Sequence, residues 1–206
     1  MNTKKILIPY PTLEVDGITD KRVLQVIRSL PRELFISNEF QTNAYSDRPL
    51  PIDCGQTISQ PFIVAYMTEK LDLKLTDRVL EIGTGSGFQA AVLAQLVSEV
   101  YTIETYPQLS QKAQKLLEKL GYKNINYRVG DGKKGWPDFA PFDKIIITAV
   151  AKKIPPLLLE QLKIGGKMIL PLEIETGEQW LVLASKLEKN KIKYKQLIPV
   201  RFVPLK

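Results

Sequence analysis

Apolar and polar positions alternate in blocks along most of the 206-residue chain, and the blocks predict a regular succession of strands and helices. Short apolar runs are typical of buried strands, and apolar residues spaced three and four apart are typical of helices that cover a sheet. The predicted strands span residues 78–83, 99–104, 124–129, 142–149 and 167–172, and the predicted helices span 88–97, 107–120 and 154–162. This alternation predicts a mainly parallel sheet with helices on both faces.

The two ends of the chain depart from this alternation. Residues 180–187 and 192–203 predict two strands without a helix between them, which indicates an antiparallel hairpin at one edge of a seven-stranded sheet. Before the first strand, the pattern predicts a helix over 19–30, a long ordered loop over 37–61 and a helix over 61–71. We therefore expect one doubly wound α/β domain over residues 1–206, in which 1–72 form an N-terminal helical and loop extension and 73–206 form the core.

Composition limits the chemistry that the chain can perform. It contains no histidine, so a hydroxyl nucleophile activated by an imidazole is excluded. The single cysteine, Cys54, excludes an intrachain disulfide and a Cys/His zinc site, and we expect it to be a small buried side chain. No apolar run reaches the length of a membrane span, and Pro9 and Pro11 interrupt the apolar patch near the N-terminus. We therefore expect a cytoplasmic protein without a membrane partner.

The net charge of +7 raises the question of a nucleic-acid partner. Lys191, Lys193 and Lys195 alternate with other residues in a predicted strand, so they share one face of it. Lysines on an exposed edge strand also prevent pairing with other chains. We therefore expect a solvated edge and no nucleic-acid partner.

A glycine-rich turn is the most informative motif. The predicted strand ending at Ile82 runs directly into Gly83, Gly85 and Gly87, and a helix follows. Glycine permits a tight turn and lets a ligand approach the backbone, and ligands of open parallel sheets bind at the carboxyl ends of the strands. Glu104 ends the next strand, where a carboxylate accepts hydrogen bonds from ribose hydroxyls, and Asp131 follows the third, near the expected edge of an adenine.

The same region indicates which nucleotide binds. The chain lacks a G-x-x-x-x-G-K-[ST] phosphate loop, and its turn reads G-x-G-x-G instead of the dinucleotide pattern. Glu81, just before the turn, suits a cationic ligand better than a pyrophosphate. S-adenosylmethionine carries an ammonium and a sulfonium group and no phosphate. The alternatives are a Glu81 carboxylate that bonds a nearby loop amide, and strand-end acids at 104 and 131 that simply face water.

Three further blocks resemble the protein-L-isoaspartate O-methyltransferase family of class I S-adenosylmethionine-dependent methyltransferases. They are residues 31–35 with 44–52, the sequence GQTISQP at 55–61, and residues 165–171 with 200–205. The resemblance covers about residues 19–206 and implies a Rossmann-like fold. Lys152 and Glu173 stand where the family commonly has proline and glycine, and residues 1–17 match nothing in it that we can place.

The resemblance implies methyl transfer to the free carboxylate of L-isoaspartyl residues in damaged proteins and peptides, with S-adenosylmethionine as methyl donor and S-adenosylhomocysteine as product. In this reaction Ser59 is the catalytic residue and holds the carboxylate. Separately from the resemblance, we expect a monomer without a metal. The cofactor site implied by the glycine turn and the resemblance together comprises Gln56, Thr57, Ile58, Ser59, Glu81, Gly83, Gly85, Ser86, Glu104, Asp131 and Gly132. The implied substrate site comprises Ser59, Val200 and Arg201.

Three alternatives stay open. The Ser59 hydroxyl is also a candidate cap for the helix that begins near Pro61. Another methyl acceptor, such as RNA or a small molecule, is a second possibility, although no basic and aromatic cluster lies near the glycine turn. A non-catalytic subunit that only binds the cofactor is the third.

Overall fold

The computed structural model describes Tyr10 and residues 12–175 and 177–206. In the first part of this range, helices α1 (Thr12–Val15) and α2 (Lys21–Ser29) precede a long connection in which two short strands, β1 (Leu50–Pro51) and β2 (Thr57–Ile58), pair antiparallel. Helix α3 (Pro61–Leu71) follows at once. The predicted order of helix, ordered loop and helix is thus confirmed.

The centre of the molecule is a seven-stranded sheet in the order β5-β4-β3-β6-β7-β8-β9. Neighbours from β5 to β7 pair in parallel, whereas β8 and β9 pair antiparallel at one edge, which confirms the predicted doubly wound fold with an edge hairpin. The strands are β3 (Arg78–Ile82), β4 (Glu99–Glu104), β5 (Ile125–Val129), β6 (Phe142–Ile147), β7 (Leu162–Glu173), β8 (Gln179–Glu188) and β9 (Lys191–Val200).

Helices α4 (Phe88–Ala94), α5 (Pro107–Lys119) and α6 (Pro156–Glu160) connect these strands. Helix α6 is shorter than the predicted 154–162, because it starts only at the second of two prolines and because β7 begins at Leu162. The buried Lys186 of β8 donates hydrogen bonds to the carbonyl oxygens of Leu159, Glu160 and Leu162, which ends the helix there. The sequence pattern of α6 carries no sign of this contact.

The N-terminal extension and the sheet share one hydrophobic core. Ile27 of α2 and Val64 of α3 lie in the same buried cluster as Val79 of β3 and Val100 of β4. A second cluster covers the other face of the sheet around Leu80 and several aromatic side chains. The shared core favours the prediction of a single domain over residues 1–206.

The far edge of the sheet is polar. β9 is the last strand in the sheet order, and Lys191, Lys193 and Lys195 are all exposed on it, as predicted.

Among the helices of the described residues, none combines the length and apolar character needed to cross a membrane.

Candidate active site

A cavity of about 770 Å³, measured with its open mouth, lies at the carboxyl ends of β3, β4 and β6. The wall is built from segments that are far apart in the chain: residues 56–59, 82–86, 103–106, 148–149 and 203–206, with Val64, Phe88, Gln89 and Gly132. The sheet therefore places its strand ends and the loop before α3 around one space.

The glycine loop (residues 83–87) forms one wall of this cavity. Gly83 and Gly85 have φ angles of +94° and +53°, a region that side chains with a Cβ rarely adopt. A Cβ at position 83 would overlap the Thr148 hydroxyl, and one at Gly132 would overlap the Ile82 side chain. Glycine at these positions therefore allows the chain segments that line the cavity to pack closely against one another.

Glu104 joins the glycine loop to the end of β4. Its side chain is almost fully buried and lines the cavity. One carboxylate oxygen accepts the Gly85 amide at 2.8 Å, and the other accepts the Tyr106 amide at 3.0 Å. Each oxygen has a further lone pair, so the carboxylate retains the capacity to accept hydroxyl hydrogens. This placement is compatible with the predicted ribose contact.

Glu81 lies elsewhere than predicted. It is 0% exposed and is not part of the cavity wall, because it occupies the interior of β3 on the sheet face that carries Val79. Its Oε2 accepts the Thr102 hydroxyl at 2.5 Å, and Thr102 in turn lies 2.6 Å from the Thr84 hydroxyl of the glycine loop. The structure therefore places Glu81 behind the loop, not at a loop amide and not facing a bound cation.

The surroundings of Glu81 disfavour its charge. Burial raises the pKa of this carboxyl to about 8, the nearby Glu104 carboxylate adds to the rise, and the Thr102 hydrogen bond opposes it. Its Oε1 has no hydrogen-bond partner among the described residues. The carboxyl is therefore protonated over much of the neutral range, and it reaches the cavity only through two threonine hydroxyls.

Three other predicted residues lie outside the cavity wall. Asp131 is exposed and accepts the amide of Lys133 at 2.9 Å, so its side chain stabilises its own turn while Gly132 lines the cavity. Val200 packs against the hydrophobic core and Arg201 is exposed. The next residues along, 203–206, line the cavity instead, because Val150 pairs with Pro204 beyond the end of β9.

The Ser59 loop (residues 44–60) forms the opposite wall, and Gln56, Thr57, Ile58 and Ser59 all line the cavity. The alternative that Ser59 caps α3 is wrong. The N-cap residue is Gln60, without a side-chain bond to the helix, and Asp47 accepts the amide of Phe62 at 2.9 Å and the Gln60 side chain at 2.8 Å. Asp47 therefore performs the capping role, and the Ser59 hydroxyl is not needed for it.

Cys54 also differs from the prediction. It is exposed, at the turn between β1 and β2, and its φ of 60° lies in the left-handed region. Its sulfur lies 3.5 Å from Oε1 of Gln108. The tight reversal of the chain places this residue at the surface, so the expectation of a small buried side chain was wrong.

Some cavity residues were not predicted. Thr148 directly follows β6, the neighbour of β3, and the strand-end rule that predicted Glu104 also applies to it. Tyr106 and Lys206 meet across the mouth, where the Lys206 ammonium lies 5.0 Å from the ring centroid and donates to the phenol oxygen. No local signal predicts that pair, because 100 residues separate the two side chains.

The charges of the cavity agree with a phosphate-free ligand. Of the side chains found in its wall, only Glu104 and Lys206 carry a charge at neutral pH. Lys206 is thus the one basic side chain among the described residues of this wall that could pair with a phosphate group. The part of the chain that the structure describes holds no group of three or more His, Cys, Asp or Glu side chains suited to a metal ion.

The sequence matches a family model described as protein-L-isoaspartate(D-aspartate) O-methyltransferase over residues 3–206. The match thus includes most of the N-terminal residues that we could not place. Two relatives with the name protein-L-isoaspartate O-methyltransferase come from Parvibaculum lavamentivorans and Ignicoccus hospitalis. The first is 53% identical over 94% of this chain and 87% of its own length, and the second is 51% identical over 91% and 90%.

Solved structures agree with the sequence match. One protein-L-isoaspartate O-methyltransferase superimposes with a TM-score of 0.85 and 29% identity over 93% of this chain, which spans only 63% of that longer chain. A Plasmodium falciparum protein of the same description, in complex with S-adenosyl-L-homocysteine, gives a TM-score of 0.82 and 25% identity over 95% of both chains. The chain therefore belongs to the protein-L-isoaspartate(D-aspartate) O-methyltransferase family.

Proposed function

We propose that this protein transfers a methyl group from S-adenosylmethionine to the free carboxylate of L-isoaspartyl residues in damaged proteins and peptides. The methyl ester then closes spontaneously to a succinimide, which begins the return to a normal aspartyl linkage. The observation that carries the proposal is the shared cavity: the glycine loop and Glu104 form one wall, and residues 56–59 of the Ser59 loop form the other. Both substrates of a direct transfer need such a common space.

The residues of the cavity suit the cofactor. S-adenosylmethionine supplies a methyl group activated by a positively charged sulfur. Gly83 and Gly85 line the cavity without side chains, and Glu104 offers acceptors for hydroxyl groups. Glu104 also provides a negative charge next to a cationic ligand. We assign the cofactor chiefly to this wall and to Gly132, together with the predicted contacts from residues 56–59 across the cavity.

The acceptor explains how a chain without histidine can perform this reaction. A free carboxylate of this kind has a pKa near 3.5, the usual value of a terminal carboxyl group, so it is already ionised at neutral pH. No general base is then required. Alignment of the two reactants supplies most of the acceleration, and effective molarities correspond to roughly 7–11 kcal/mol. The task of the protein is to hold the carboxylate in line.

Ser59 is the residue that we assign to this task. It lines the cavity, and its hydroxyl is not needed to cap α3 because Asp47 caps that helix. A hydroxyl donor to a carboxylate is a charge-assisted hydrogen bond, which is stronger than a neutral one. Residues 203–206, at the mouth, are placed to contact the peptide around the isoaspartyl residue.

The decisive experiment uses methyl-labelled S-adenosylmethionine and two peptides that differ only in isoaspartyl or aspartyl linkage at one position. We expect label in the isoaspartyl peptide alone, as a base-labile methyl ester. Equal labelling of both peptides, or of neither, would contradict the proposal. Label in RNA or in a small metabolite instead would identify another acceptor.

We also propose that the protein acts as a monomer in the cytoplasm. A single cysteine is compatible with a reducing compartment, where disulfides contribute little to stability. Its partners are then isoaspartyl-containing proteins and peptides. Size-exclusion chromatography with light scattering tests the oligomeric state directly.

A further inference from the structure

Arg32 is a buried cation in an unusual setting. Its side chain is 0% exposed, and no carboxylate among the described residues lies within ion-pair distance of its guanidinium. Burial accordingly lowers the pKa of this side chain from its usual value. A buried charge requires compensating hydrogen bonds, and here main-chain carbonyl groups supply them at Nη1 and Nη2, while Nε has no partner among the described residues.

The three acceptors of Arg32 all belong to the Ser59 loop. Nη1 donates to the carbonyl oxygen of Ala44, and Nη2 donates to those of Arg48 at 3.1 Å and Ser59 at 3.0 Å. One planar group thus holds the beginning, the middle and the end of the loop. A guanidinium carries five N–H donors in a fixed fork, so it can hold several acceptors at once in a way that a lysine ammonium cannot reproduce.

The other side of Arg32 faces the glycine loop. Its guanidinium carbon lies 6.0 Å from the centroid of the Phe88 ring, and Phe35, in the same short 3-10 helix, packs edge-on to that ring at 5.3 Å. Phe88 is the first residue of α4 and directly follows the glycine loop. Arg32 therefore lies between the two structures that form the opposite walls of the cavity.

We propose that Arg32 is a positioning residue for the methyl acceptor: by binding the Ser59 carbonyl while packed on Phe88, it fixes the distance from Ser59 to the glycine loop. The inference rests on the proposed function, because it assumes that Ser59 holds the acceptor carboxylate. Arg32 is not in the cavity wall and does not touch the substrate. It acts on the rate of transfer through the backbone of Ser59.

The experiment compares the Arg32→Lys and Arg32→Gln variants with the wild-type protein. Arg32→Lys keeps the charge but loses the planar fork, and Arg32→Gln keeps a planar pair of N–H donors without the charge. We expect kcat for a saturating isoaspartyl peptide to fall by about 10- to 100-fold in both, since a misplacement of about 1 Å can cost about 100-fold. The Kd of S-adenosylhomocysteine, measured by calorimetry, should stay within about threefold, because Gly83, Gly85 and Glu104 do not contact Arg32.

Lys186→Met is the matched control. Lys186 is also a buried cation bound by three main-chain carbonyls, but these lie at the end of α6 and outside the cavity wall. All variants should lose thermal stability, whereas only those at Arg32 should lose kcat. If Arg32→Gln does not fold, Arg32→Lys alone decides the test.

The outcomes separate clearly. A folded Arg32→Lys variant with wild-type kcat would overturn the inference, and so would a parallel loss of kcat and cofactor affinity. Equal losses of kcat in Lys186→Met would show a general effect of stability and would also overturn it. An inactive wild-type protein would refute the proposed function, and the inference with it, whereas an active wild type with an unaffected Arg32→Lys variant refutes the inference alone.

Discussion

The two walls of the cavity are built in opposite ways. The glycine loop is the direct continuation of β3, and the neighbouring strands β4 and β6 fix it within a few residues: the Gly83 amide bonds the Ile103 carbonyl and the Thr148 amide bonds the Ile82 carbonyl. The Ser59 loop has only a two-residue ladder of its own, and side chains from elsewhere hold it. The position of the first wall is fixed by neighbouring strands of the sheet, and that of the second by contacts between residues far apart in the chain.

Each wall also rests on one buried ionisable group, of opposite sign. Glu81 lies behind the glycine loop, connected through Thr102 and Thr84, and Arg32 lies behind the Ser59 loop. The carboxyl can give up its charge by taking a proton, whereas a guanidinium stays charged at any pH that the protein meets. The comparison indicates that cofactor binding and acceptor alignment can be altered separately, which two variants test, while a third tests the buried carboxyl behind the glycine loop.

The largest effect is expected from Gly83→Ala. The new methyl group would overlap the Thr148 hydroxyl at a φ of +94°, so the glycine loop must shift. Strain of about 1–3 kcal/mol corresponds to roughly 5- to 150-fold in affinity, and we expect the Kd of S-adenosylhomocysteine to rise by about 100-fold in calorimetry. Gly121→Ala is the control, with a similar φ of +89° and no atom within 4 Å. It should lose stability but keep its cofactor affinity, and an equal loss in both would remove the local explanation.

A somewhat smaller effect is expected from Ser59→Ala. Loss of a hydrogen bond to a charged group costs about 1.5–3 kcal/mol, so kcat should fall by about 10- to 100-fold while the Kd of S-adenosylhomocysteine stays nearly constant. Ser46→Ala is the control in the same loop, because the Ser46 hydroxyl bonds the Asn43 carbonyl and is not part of the cavity wall. Steady-state kinetics with an isoaspartyl peptide measure kcat for both variants. Unchanged kcat in Ser59→Ala would leave the Ser59 loop without its assigned role.

The effect furthest from the reaction itself is a change in the pH dependence of stability in Glu81→Gln. With a folded-state pKa of about 8 and an ordinary value near 4.5 in the unfolded chain, Glu81 is protonated when folded and ionised when unfolded between these values. Unfolding then releases a proton. The contribution of Glu81 to the free energy of unfolding is therefore complete below the pKa of the unfolded chain, and it is lost as pH rises to about 8, by up to about 1.4 kcal/mol per pH unit. Urea denaturation at several pH values should show that the free energy of unfolding of the variant gains up to about 1.4 kcal/mol on that of the wild type for each unit of rising pH in this window. Parallel curves would mean that Glu81 is ionised in the folded protein.

The same division explains what the sequence predicted. The strands from Arg78 to Val129, the glycine loop and the position of Glu104 follow from apolar runs and from the rule for strand ends, which depend on neighbouring residues only. The prediction for Glu81 was wrong because it relied on the position of an acid beside a glycine turn, which indicates a ligand contact. The alternation of side chains along β3 instead directs Glu81 to a covered face of the sheet.

The residue pattern predicted an ordered loop before α3, but the role of Ser59 in it could be predicted only from the family resemblance. Asp47, which caps α3 by accepting the amide of Phe62, lies 15 residues before Phe62 in the chain. Arg32, which binds the Ser59 carbonyl, lies 27 residues before Ser59. No periodicity connects such pairs. Residues 203–206 reach the cavity through a single bridge to Val150, for the same reason.

The choice of acceptors by Arg32 has a consequence for evolution and engineering. All three are carbonyl oxygens, which every residue type carries, so the guanidinium holds the path of the Ser59 loop without selecting its side chains. Exposed side chains of the loop, such as Asp53, can therefore change while the backbone keeps its course, whereas Ile52 packs on the core and Cys54 is restricted by its left-handed φ. A lineage, or a designed library, can therefore vary the chemistry that the loop presents to its peptides and retain the transfer reaction.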